Sequence, residues 1–72
     1  MISRYGWIVL NNAGFAQAVD ESGKPFTPRR ISSFMLWDNK VRAEKFAKQE
    51  SNTTKQFRVV RCHLTFTRED DA

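Results

Sequence analysis

The sequence predicts an α+β fold: a three- to four-stranded, mostly antiparallel sheet with one α-helix packed on one face, in the order β-β-(β)-α-β. Three observations carry that expectation. In QFRVVRCHLTF (56–66) every second residue, Val60, Cys62, Leu64 and Phe66, belongs to one apolar row. Phe57, Val59, Arg61, His63 and Thr65 fall between them, which is the period of a strand. YGWIVL (5–10) and FAQAVD (15–20) flank the turn residues NNAG, the pattern of a β-hairpin. In DNKVRAEKFAKQE, Ala43, Phe46 and Ala47 stand at i, i+3 and i+4 and make one stripe of a helix.

Taken in chain order, residues 5–10 are aromatic and β-branched, as strands prefer. Residues 15–20 alternate, with Phe15, Gln17 and Val19 on one side and Ala16 and Ala18 on the other. ESGKPFTP (21–28) reads as a loop because of its glycine and two prolines. RRISSFMLW (29–37) is ambiguous, since Thr27 and Pro28 resemble a helix start. A helix running on to residue 50 would turn Ile31 and Phe34 nearly opposite to Ala43, Phe46 and Ala47. The segment therefore breaks at Asp38, with a short strand over 31–36 and then a helix with Asp38 as N-cap. SNTTK (51–55) ends the helix, with Asn52 as a left-handed cap, and the last strand covers 56–66. Residues 1–67 read as a single compact domain, followed at 68–72 by a mobile acidic tail.

At 72 residues the core is thin, and nine aromatics supply the area that a thin core needs. The single cysteine, Cys62, excludes an internal disulfide and points to a reducing, cytoplasmic setting. The apolar run near the N-terminus is too short for a signal segment or a membrane span, so no membrane association is expected. Net charge is +4, unevenly spread. Residues 1–67 hold eleven Lys and Arg against five Asp and Glu, whereas the tail carries Glu69, Asp70 and Asp71. A basic body suits anionic partners, or merely solubility.

Catalytic chemistry finds little support. Cys62 and His63 are neighbours on a strand, so their side chains point to opposite faces and cannot form a thiol–imidazole pair. His63 is the sole histidine, which leaves no His pair for a metal. Asp20 and Glu21 sit at a turn, Asp38 at a cap, and Glu44 and Glu50 along the helix, with no convergence of the kind acid–base work needs. Phosphate-loop, zinc-protease and nucleophile-elbow motifs do not occur. The chain is expected to be no enzyme and to need no cofactor or metal.

Candidate partner-binding residues fall into four groups. The outer helix face offers Lys40, Val41, Arg42, Lys45 and Lys48, with Glu44 beside them. Arg29 and Arg30 follow the Pro-bounded loop. Arg61 and His63 share one row of the last strand. If that strand neighbours the first, Tyr5 or Trp7 comes near Arg61, the kind of surface that holds single-stranded nucleic acid. Trp37 precedes the helix cap, where a residue packs under the first turn. The plainer reading of each group is a solvated charge or a core aromatic.

In size and element order the chain resembles the accessory proteins of bacteriophages and prophages. That resemblance implies a small binding protein that docks on and inhibits or regulates a larger host complex, one handling nucleic acid or serving defence. It rests on architecture and not on a motif. Two alternatives are a direct DNA- or RNA-binding module and a self-associating structural protein: a sheet with one helix leaves an edge strand free to pair and one face bare, and a homodimer through that face, with Phe57 and Val59 beside Arg61 and His63, would cover it.

Overall fold

The computed structural model describes residues 2–66, so the acidic tail at 68–72 lies outside the described residues. The chain runs β1 (Ile2–Leu10), β2 (Ala18–Val19), β3 (Pro25–Phe26), a 3-10 turn (Ser33–Met35), α1 (Lys40–Glu50) and β4 (Arg58–Phe66). It is an α+β fold with one helix, as the sequence predicts, but the sheet is smaller than three or four full strands. β1 and β4 form a two-stranded antiparallel sheet with nine residue pairs, from Ile2↔Phe66 to Leu10↔Arg58. β2 and β3 form a separate small hairpin.

The second edge of β1 is filled only at points. Trp7 and Trp37 exchange backbone hydrogen bonds, with Trp7 N–H donating to the Trp37 carbonyl (2.9 Å) and Trp37 N–H donating back (2.8 Å). Nearer the turn, Leu10 bridges Ala16, and the Gln17 N–H reaches the Val9 carbonyl at 2.8 Å. The strand expected over 31–36 is therefore a 3-10 turn, and only Trp37 joins the sheet. Likewise the strand expected over 15–20 pairs with β1 only around Ala16 and Gln17.

The turn chemistry explains where the chain reverses. The Asn11 side chain accepts from the N–H groups of Ala13 (3.0 Å) and Phe15 (2.9 Å), and Asp20 does the same for Ser22 and Lys24 at 2.9 Å each. Gly14 and Gly23 close these turns at φ +86° and +79°, a region that side chains disfavour. Asn12 ties the first turn to the last loop, accepting from Gln56 N–H (3.0 Å) and donating to the Thr54 carbonyl (3.3 Å).

α1 is capped by Asn39, whose side chain accepts from the Arg42 N–H at 3.2 Å, so the cap is one residue later than Asp38. Replacing Asn39 by Ala is expected to cost about 1 kcal/mol in urea unfolding. Asp38→Ala should be near neutral, and equal losses in the two variants would contradict this assignment. The expected left-handed cap at Asn52 is also corrected. The helix ends at Ser51 in extended conformation (φ −74°), with Ser51 Oγ donating to the Ala47 carbonyl at 2.7 Å. Asn52 instead organises the following loop, its side chain accepting from Thr54 and Lys55 N–H at 2.9 and 2.8 Å.

The core is small: Ile8, Val9, Met35, Ala43 and Ala47 are buried. Ala43 and Ala47 belong to the predicted helix stripe, and their small side chains let α1 lie close on β1 and β4. Phe46 completes the stripe by packing on Trp37, with ring centroids 5.3 Å apart. Gln17 is buried as well, its amide donating to Thr27 Oγ1 (2.7 Å) and to the Phe15 and Ala16 carbonyls.

Candidate partner-docking surface

Cross-strand partners share a sheet face. The pairs Tyr5↔His63, Trp7↔Arg61 and Val9↔Val59, extended by Trp37 beside Trp7, therefore line the face on which Phe46 and α1 rest. The sequence-level condition is met: the first and last strands are neighbours and Arg61 stands directly opposite Trp7. His63 stacks on Tyr5 with ring centroids 4.1 Å apart and planes within 3°. Both residues are exposed, as are Ser3, Arg4 and Arg61, whereas Gly6 and Ile8 are buried. The packed body thus ends near Gly6, and the outer half of the β1–β4 ribbon projects from it. The molecule measures 48 × 23 × 22 Å accordingly.

The helix candidates form a surface of their own. Val41, Lys45 and Lys48 lie opposite the buried Ala43 and Ala47, and Val41 is 73% exposed among cations. Lys40 pairs with Glu44 one turn on, at 3.6 Å between two exposed side chains, a contact of a few tenths of a kcal/mol. Arg42 is exposed and its backbone N–H serves the cap. Arg29 and Arg30 are exposed in the bend after Pro28, and Lys24 is engaged with Glu50 at 3.6 Å. Trp37 is half-buried, held by its backbone to Trp7 and by its ring to Phe46. It is chiefly a structural residue, but it also lines a surface depression. The candidates are therefore distributed over the helix face, a loop and the ribbon, and do not form one site.

No family model, curated protein or solved structure matches this chain.

An apolar surface absent from the sequence-level candidates stands out. Phe34, on the 3-10 turn, is 97% exposed. It borders a shallow depression of about 290 Å³ together with Val19, Leu36, Trp37 and Asp38. A second shallow depression, of about 270 Å³, is lined by Phe26, Pro25, Gln17, Lys55 and Phe57. Sequence reasoning missed Phe34 because it assigned the residue to a strand, where an apolar side chain is expected to pack. In the 3-10 turn its neighbour Met35 is buried, with the Met35 sulfur accepting from Ser32 N–H at 3.4 Å, and Phe34 is left outside. Among the described residues no three His, Cys, Asp or Glu side chains gather where they could hold a metal ion. No helix of the described residues is long and apolar enough to cross a membrane.

Proposed function

We propose that the chain is a small non-enzymatic binding protein of the cytoplasm that docks on a larger protein or nucleoprotein complex and inhibits or regulates it by covering part of its surface. Phe34 carries this reading. A phenylalanine 97% exposed on a 3-10 turn, bordering a concavity with Val19, has the form of an interface anchor. A domain this small gains nothing for its own stability from that placement. The exposed cations of α1, with Val41 among them, offer a second contact that suits an acidic rim. The shallow depressions fit a docking role better than a role that encloses a small substrate.

The test is affinity capture from a bacterial lysate, with and without nuclease, using the wild-type chain, Phe34→Ser, and the pair Lys45→Glu with Lys48→Glu. A defined protein is expected to survive nuclease with the wild type and to be lost with Phe34→Ser. The lysine pair should weaken capture by roughly tenfold if the helix face contributes, which corresponds to about 1.4 kcal/mol. Recovery of nucleic acid alone, abolished by nuclease and by salt, would instead establish the direct nucleic-acid-binding alternative.

A further inference from the structure

The outer edge of β4 is an unusual feature for so small a protein. The Trp7 N–H and C=O both turn toward Trp37, and the Val9 carbonyl turns toward Gln17. The odd residues of β1 therefore point their backbone groups away from β4, and the even residues Arg4, Gly6, Ile8 and Leu10 make the ladder to Leu64, Cys62, Val60 and Arg58. It follows that Val59, Arg61, His63 and Thr65 direct their backbone groups outward from β4. Among the described residues no backbone group pairs with them. Of the usual protections of an edge, β4 has only the charges of Arg58 and Arg61: it has no proline, glycine or lysine, and its nine pairs with β1 run without a bulge. Nine residues also exceed the length of a typical strand, about five to six.

We propose that a second copy of this chain pairs with this edge, antiparallel and related by a twofold axis through Cys62, joining two sheets into one continuous four-stranded sheet. Register selects this arrangement. Centring on Cys62 pairs the whole of Arg58–Phe66 with its counterpart, and it places the outward-facing residues opposite one another as hydrogen-bonded pairs, Arg61 with His63 and Val59 with Thr65. Charge selects it as well. Arg58 meets Phe66 and Arg61 meets His63, so no guanidinium faces another across the axis. A shift of two residues one way sets the two Arg61 side chains opposite each other. A shift the other way leaves Arg58 and Val59 unpaired. Val60, Cys62 and Leu64, half-buried in the single chain, meet Leu64, Cys62 and Val60 of the second copy and extend the apolar row across the axis.

The two Cys62 residues then form a non-hydrogen-bonded pair, with Cα atoms about 4.5 Å apart. That lies within the span a disulfide can bridge, about 4.4–6.8 Å. Light scattering after size exclusion is expected to give twice the 8.4 kDa chain mass. Oxidation with cupric phenanthroline should link the copies through Cys62, the single cysteine. His63→Pro removes one outward N–H and leaves the ladder to β1 intact, so a folded monomer that resists cross-linking is expected. A wild-type mass of 8.4 kDa at the highest soluble concentration would overturn the proposal. So would a dimer that fails to cross-link, or a folded His63→Pro variant that stays dimeric. None of these results depends on which partner the apolar surface binds, so failure here leaves the docking reading separately testable.

Discussion

Phe46→Ala is expected to lower stability by about 3 kcal/mol, at the lower end for loss of a large aromatic because Phe46 is only half-buried. Its ring packs on Trp37 at 5.3 Å, and Trp37 is bound to Trp7 only through one pair of backbone hydrogen bonds. Removing the ring therefore leaves a cavity between α1 and the sheet and frees the Trp37 side chain. A chain of 72 residues has a total stability on the order of 4–11 kcal/mol, so the variant loses a large part of it. The melting temperature should fall by roughly 12–24 °C, and an unchanged value would contradict this role for Phe46.

Gly6→Ala is expected to cost a similar amount for a different reason. A methyl group at residue 6 would stand 2.7 Å from the Trp37 carbonyl oxygen and 3.4 Å from Leu36 Cβ. The nearer obstacle is backbone and cannot swing aside. That same carbonyl accepts the Trp7 N–H, so relief of the clash opens the bridge and takes Trp37 from its place beneath Phe46. Overpacking of this kind costs about 1–3 kcal/mol, and each lost hydrogen bond adds about 1 kcal/mol. Hydrogen exchange distinguishes this mechanism from general weakening: the Trp7 and Trp37 amides should lose protection before those of the β1–β4 ladder. Retained protection at both tryptophans would show that the strand moves as a unit instead. Gly14→Ala is a useful contrast, since open space surrounds that position and only its φ of +86° resists a side chain, at roughly 1 kcal/mol.

The last strand was legible because its alternation reflects real burial, with Val60, Cys62 and Leu64 half-buried and Arg61, His63 and Thr65 exposed; the first was legible through its aromatic and β-branched content, since the adjacent Ile8 and Val9 are both buried. So was the helix, through Ala43, Phe46 and Ala47. The segment 31–36 was not legible, since a short stretch with four apolar residues and two serines satisfies a strand and a short buried turn equally well. The deciding fact is nonlocal: of residues 31–37 only Trp37 pairs with the second edge of β1, whose far end is taken by Ala16 and Gln17, and the residues before Trp37 turn to bury Met35. The choice of Asn39 over Asp38 as cap was beyond sequence reasoning, because either side chain can serve and position alone decides. Gln17 was read as one member of an alternating strand, yet its partner Thr27 lies ten residues away across a loop. The cationic candidates were visible as charges, and the structure shows them dispersed. Phe34 was visible only as an apolar residue, and its exposure depends on the 3-10 turn that the sequence did not announce.

The pairing of β1 with β4 also bears on the order of events in folding. Partners in this ladder are separated by 48 positions at Leu10↔Arg58 and by 64 at Ile2↔Phe66. Every contact of the principal sheet thus closes a long loop, and such contacts slow folding relative to helical proteins of equal size. During synthesis the apolar β1 must wait until nearly all of the described chain has left the ribosome before its ladder partner exists. The turns at Asn11–Gly14 and Asp20–Lys24 and the helix α1 are local and can form during that interval. The ladder cannot form before its C-terminal strand exists, and a strand that finds its partner late is open longest to pairing with another chain.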